Sequence, residues 1–198
     1  MTDPATGHPL LQRIRQALRE QPGRMIDVAG TPARAAVALV FRVANDDLEL
    51  LVIRRAERVG DPWSGQMALP GGRFDATDAD LLDTAVRETW EETAVDLRAM
   101  GESLGMLDEL HPRTPVLPSI VIRPYVFALT GPASITLSAE VAAVYWVPLR
   151  TLQDPAVSRE SVVSPRGEPW RVSSFIVHDQ VVWGLTERIL RNLLSRIE

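Results

Sequence analysis

Three glutamates and an arginine crowd the stretch RETWEE at residues 87–92. On a helix, Glu88, Glu91 and Glu92 stand at i, i+3 and i+4 and point the same way. Like charges so placed destabilise a helix by roughly 0.2–0.5 kcal/mol per pair. A hard divalent cation such as Mg²⁺ relieves that repulsion, because it prefers carboxylate oxygens. Arg87 precedes Glu91 by four residues, so its guanidinium reaches that carboxylate and orients it. The same string also describes a solvated acidic face carrying an ordinary Arg–Glu pair.

What precedes the helix favours a site. In LPGG, residues 69–72, two glycines end a short strand ALPGG and let a ligand or metal approach the backbone closely. The helix itself is expected over LLDTAVRETWEETA, with Leu81, Leu82, Ala85 and Thr89 as its apolar stripe and Asp78 or Asp80 as its cap. Upstream, RAAVALVFRV and LELLVIRRA read as strands of a hairpin turned at ANDD, and their continuous apolar character calls for a sheet covered on both faces. LLQRIRQALRE predicts an amino-terminal helix. Further strands are expected at ESLGMLDEL, PSIVIRPYVFAL, AAVYWVPL and WRVSSFIV, and a closing amphipathic helix at GLTERILRNLLSRIE, with Leu185, Ile189, Leu193 and Ile197 on one side. The sum is an α/β or α+β chain with helices packed on a mixed sheet. Residues 1–30 are expected to form a helix with its connector, and residues 31–198 one domain that includes the closing helix.

The composition narrows the function classes. A chain of 198 residues suits one domain with a sizeable core. It has no cysteine, which excludes a disulfide framework, a thiol nucleophile and a thiolate metal site. With 26 acidic against 21 basic residues, it lacks the basic excess that holds long nucleic acids or anionic membranes, and a small phosphorylated ligand is left. Its apolar runs fall far short of the roughly 20 residues that span a bilayer, and MTDPATGHPL lacks a signal pattern, so a cytoplasmic protein is expected.

From the glycines through the helix, GG...RETWEETAV, the chain resembles the Nudix hydrolases, whose signature runs from a glycine over a spacer to Arg-Glu-apolar-x-Glu-Glu-x-Gly-apolar. The resemblance implies an α/β/α sandwich and hydrolysis of a nucleoside diphosphate linked to another group. It also implies Mg²⁺ or Mn²⁺ held by Glu88, Glu91 and Glu92 with the Gly72 carbonyl. The chain departs from the signature in three places: acids stand at Asp78 and Asp80 around Ala79, Thr89 replaces an apolar residue, and Ala94 replaces the glycine after the helix. That last position commonly takes left-handed geometry, which costs a non-glycine residue on the order of 1 kcal/mol.

The lengthened spacer GGRFDATDADLLDTAVRE is similar to that of the coenzyme A pyrophosphatase branch, as are LLVIRRA, EVAAVYWVPL and VVWGLTERILRNLL. That likeness implies a coenzyme A or dinucleotide-type substrate, and the apolar amino-terminal helix together with the resemblance to a dimer-prone family implies a homodimer. In the loop RAERVGDPWSGQMALPGG, however, Asp61, Pro62 and Trp63 stand where that branch has Arg or His, and a 3′-phosphate needs a positive partner.

Diphosphate hydrolysis needs charge neutralisation, an activated water and a proton acceptor. Glu91, positioned by Arg87, and Glu140, in LSAEVAAVYW, are the two candidate bases. Arg55 and Arg58 are candidates for phosphate contact, or equally partners for nearby carboxylates. Trp63 is a candidate for stacking on a nucleobase, or an anchor of its loop. Trp146, Trp170 and Trp183 are expected in core packing, and His111 is assigned no role. Two other readings stay open: a broad pyrophosphatase of nucleoside triphosphates, sugar nucleotides or ADP-ribose, and a non-catalytic nucleotide-binding protein of the same fold. A prenyl diphosphate isomerase, which often uses cysteine, ranks below both.

Overall fold

The computed structural model describes residues 7–61, 63–112 and 119–198. Pro62 in the loop before the glycines, Pro118 at the start of one expected strand and most of the MTDPATGHPL segment lie outside them.

The centre of the molecule is a seven-stranded mixed sheet. Its hairpin joins β1 (Ala33–Ala44) to β2 (Asp47–Arg55). Asn45 and Asp46 turn the chain with φ of 50° and 60°, the left-handed pair a tight two-residue hairpin demands. β3 (Met67–Ala68) pairs with β2, and β4 (Gly71–Arg73) runs antiparallel to the start of β1. The expected strand ALPGG is therefore two short strands interrupted at Leu69 and Pro70, as a residue without an N–H would require. β5 (Gly101–Met106) pairs with β6 (Ile120–Leu129), which lies parallel to β1, and β7 (Val141–Pro148) covers the other edge of β2.

Both faces of β1 are buried, as its unbroken apolar run predicts. Ala36, Ala38 and Val40 face α2 (Leu81–Thr93) and share a core with Leu81, Ala85 and Phe127. Leu39 and Phe41 point the other way, into a larger core with α1 (Pro9–Glu20) and α5 (Gly184–Ile197). Leu11, Ile14 and Leu18 of α1 and Ile189, Leu193 and Ile197 of α5 are almost fully buried there. Each such side chain contributes about 1.5–3 kcal/mol of hydrophobic stabilisation. Arg15 clamps α1 to β5 through Glu102.

Two short helices, α3 (Leu97–Met100) and α4 (Leu149–Gln153), were not expected from the sequence. Nor were β8 (Ser158–Val163) and β10 (Gln180–Trp183), which flank β9 (Trp170–Val177) in a separate antiparallel sheet. The expected strand ESLGMLDEL ends at Met106, and only Leu110 beyond it makes a bridge, to Ile122. Among the described residues, no helix is long and apolar enough to cross a membrane.

Candidate active site

The glutamates stand on α2, and the helix is fixed at both ends. At its start the Asp80 carboxylate accepts from the Asp83 N–H at 2.9 Å, the N-cap the sequence left open between Asp78 and Asp80. At its end Ala94 adopts φ 57° and ψ 21°, and its N–H donates to the Trp90 carbonyl. The left-handed turn lets Val95 and Leu97 return to the core despite the methyl group. Thr89 is fully buried where an apolar residue is usual, and it satisfies its hydroxyl by donating to the Ala85 carbonyl at 2.7 Å.

Asp78 has a different task. Arg87 Nε donates to its Oδ1 at 2.7 Å and Arg87 Nη2 to its Oδ2 at 3.0 Å. The Asp75 N–H and the Thr84 hydroxyl complete its shell at 3.0 and 2.8 Å. The Arg87 guanidinium, above all, holds the buried Asp78 carboxyl well below the usual carboxylate range. The same guanidinium donates through Nη1 to Glu88 at 2.9 Å and to Glu91 at 3.0 Å, and through Nη2 to the Arg73 carbonyl at 3.2 Å. One cation thus joins the β4 backbone to two of the three glutamates.

The three glutamates differ in environment. Glu91 is exposed. Glu88 is half-buried against the glycine turn: a Cβ on Gly72 would overlap its carboxyl group. Burial raises the Glu88 pKa, and Arg87 opposes the rise. Glu92 differs from Glu88 and Glu91, since its carboxylate is turned away from solvent. It is 5% exposed, and its Oε2 accepts from the Gly71 N–H at 3.0 Å. Desolvation pushes its pKa up to about 7, with the Glu88 and Glu140 charges adding to the rise and the Gly71 bond and Arg55 opposing it.

Among the described residues, no three His, Asp or Glu side chains already converge as a preformed metal cage. The donor chemistry nevertheless suits a hard divalent ion. Glu88 and Glu92 are desolvated carboxylates held against a glycine turn, where a Cβ at position 72 would displace the Glu88 carboxyl. Such groups gain most from a nearby cation, and the set offers only oxygen donors.

The remaining candidates sit around the same turn but are engaged with one another. Arg55 Nη2 donates to Asp61 at 2.8 Å, and Asp61 also accepts from the Trp63 N–H at 2.9 Å. The Arg55 guanidinium holds the Asp61 carboxyl below its ordinary value. Arg58 Nη2 donates to Glu140 at 3.1 Å, a pair exposed on both sides. Beside them opens a cavity of about 440 Å³ whose lining includes Arg55, Trp63, Gly71, Arg73, Glu92 and Trp183.

The three tryptophans expected in the core behave differently. Trp146 is half-buried beside the α2 core, with the Arg42 guanidinium 4.0 Å from its ring. Trp170 is 38% exposed. Trp183 is half-buried, with its ring centroid 6.3 Å from that of Trp63. The ring facing Trp183 comes from a segment 120 residues earlier, so its role left no local trace, whereas the partners of Asp78, namely Asp75, Thr84 and Arg87, all lie within nine residues of it.

The family model for the NUDIX domain matches residues 32–166. A Schizosaccharomyces pombe protein is 39% identical over 110 residues, covering 54% of this chain, and the chain spans only 33% of that relative's length. The Nudix hydrolase NudL of Yersinia pestis is 30% identical over 171 residues, 85% of this chain and 82% of the relative. Among solved structures, the NUDIX domain of Shewanella oneidensis NrtR, complexed with ADP ribose, is 25% identical. It covers 63% of this chain and 77% of that one, with a TM-score of 0.50.

Proposed function

The chain belongs to the Nudix family, and from that premise we propose that this pyrophosphohydrolase cleaves the diphosphate bridge of a nucleoside diphosphate derivative of coenzyme A or dinucleotide type. The observation that carries the reading is the setting of Glu88 and Glu92 against the Gly71–Gly72 turn, with Arg87 locked above them by Asp78.

In this reading Glu88, Glu91, Glu92 and the Gly72 carbonyl hold Mg²⁺ or Mn²⁺. When bound, the ion supplies neutralisation of phosphate charge and a more acidic water. The chain's own residues do the rest. Asp78 fixes the guanidinium plane of Arg87, and Arg87 restricts the Glu88 and Glu91 carboxylates. Either Glu91 or Glu140 is the carboxylate that takes the proton of the attacking water. Glu91 is on the exposed side of α2. Glu140 lies near enough to Glu92 for its charge to push that carboxyl up. Arg55 and Arg58 meet phosphate oxygens once they exchange Asp61 and Glu140 for them.

Two observations bear on the substrate. The likeness of the spacer GGRFDATDADLLDTAVRE to coenzyme A pyrophosphatases supports coenzyme A, and the ADP ribose bound by the Shewanella domain supports a substrate without a 3′-phosphate. Asp61, by engaging Arg55, reduces the positive charge a 3′-phosphate would meet. Product release from coenzyme A, NADH, ADP-ribose, sugar nucleotides and nucleoside triphosphates, each with Mg²⁺, Mn²⁺ or chelator, tests the reading. Metal-dependent cleavage of a nucleoside diphosphate derivative is expected, and no turnover of any compound would sink it.

A further inference from the structure

The family match ends at residue 166, yet one wall of the cavity beside Glu92 is built from residues after it. Trp183 closes β10, whose Val182 is buried against Phe175 of β9, so the indole stands on a rigid strand end. Gly184 follows with φ 69° and starts α5, and a Cβ there would meet nothing within 4 Å. Leu185 then packs toward Ile120 and Ile122 of β6. The opposite wall comes from the sheet and the Trp63 loop.

We propose that this cavity is the seat of an uncharged planar group of the substrate, its nucleobase, and that Trp183 and Leu185 determine its recognition. The charged lining groups, Arg55, Arg73 and Glu92, belong to the glycine-turn side, where the phosphates of a nucleotide would stand. Most of the rest is aliphatic or indole. A phosphate or second charged group placed there would lose its hydration without a partner. A flat base instead gains contact with ring faces, and the Gln66 amide offers both donor and acceptor to a base edge. A cavity of about 440 Å³ falls within the roughly 300–1,000 Å³ range of small-molecule sites. The Trp63 and Trp183 rings are inclined at 50°, so they do not close into a stack on each other. The inference rests on the proposed hydrolytic reading only for which side of the cavity receives phosphates.

The test separates binding from turnover. Titration calorimetry of the 198-residue chain in chelator, and again with Mg²⁺, compares adenosine monophosphate with ribose 5-phosphate, which lacks only the base. Adenosine monophosphate is expected to bind at least about tenfold more tightly. Trp183→Ala and Leu185→Asp, with melting temperatures near the parent's, are expected to abolish most of that preference, and Trp183→Phe to retain it. Equal binding of the two ligands by the parent chain overturns the proposal, whatever the variants do. A preference that both Trp183→Ala and Leu185→Asp leave unchanged overturns it too. If the parent cleaves no diphosphate while the preference and its loss are observed, the hydrolytic reading fails and the base site stands.

Discussion

Arg87 grips Asp78 through two parallel hydrogen bonds, Nε to Oδ1 at 2.7 Å and Nη2 to Oδ2 at 3.0 Å, while Nη1 of the same guanidinium serves Glu88 and Glu91. The fork geometry uses two directions for positioning and leaves the third for the site. Asp78→Asn keeps the shape but removes the charge and one acceptor. We expect kcat/KM for the preferred diphosphate to fall roughly 10–100-fold. Stability is expected to drop by about 1–3 kcal/mol, because a buried donor loses its partner. Steady-state kinetics beside urea unfolding checks both.

Glu92 ties stability to pH. In chelator its carboxyl titrates at about 7 in the folded chain against an ordinary 4.5 when unfolded, so the folded state holds the extra proton between these values. Stability therefore falls as pH rises through that window, by on the order of 3 kcal/mol in total. Glu92→Gln removes this contribution and leaves the Gly71 N–H an acceptor. Melting curves from pH 4.5 to 8 should be flatter for the variant, and its melting point at pH 8 should exceed the parent's. Its kcat should fall by more than the roughly 10–100-fold that loss of an outer partner costs. A parental pH slope in the variant would place the titration elsewhere.

Gly72→Ala adds one methyl group where the Glu88 carboxyl lies. The end of a glutamate side chain can swing aside, so the expected outcome is a folded protein with a displaced ligand. Half-maximal activity should require a markedly higher Mg²⁺ concentration, with a melting temperature close to the parent's in chelator. Metal-titrated kinetics reads the difference directly.

Ala94→Gly is the expected stabilising change. Alanine at φ 57° carries a steric cost that glycine lacks, and relieving it contributes about 1 kcal/mol. For a chain of this length that corresponds to a rise of roughly 2–4 °C in Tm. Calorimetry settles the sign, and activity should be unchanged because Ala94 contacts none of the glutamate carboxylates through a hydrogen bond.

Much of this architecture was legible locally. The β1–β2 hairpin follows from two apolar runs around Asn45 and Asp46, which tolerate positive φ. The shared face of Glu88, Glu91 and Glu92 follows from helical spacing alone. What was not legible depended on chain segments far away. Glu92 reads as a surface residue until Gly71 of β4 is laid against it. Trp183 resembles a core tryptophan until the Trp63 loop, 120 residues earlier, stands opposite. SRESVV and QVVW are too short and too polar to announce strands, and β9 supplies the pairing that makes them so.

The parallel pairing of β1 with β6 also bears on how the chain reaches its native state. From Ala33–Ile120 to Phe41–Ala128, every partner lies 87 residues downstream. Closing so large a loop must precede the reward of the pairing, which places this topology toward the slow end of folding rates. During synthesis, the hairpin and the glutamate helix emerge well before β6, leaving the apolar edge of β1 open to other chains. Nascent chains halted before residue 120 should therefore depend on chaperones and aggregate when released, whereas protease resistance should appear only once β6, β7 and α5 are all present to complete the sheet and the larger core.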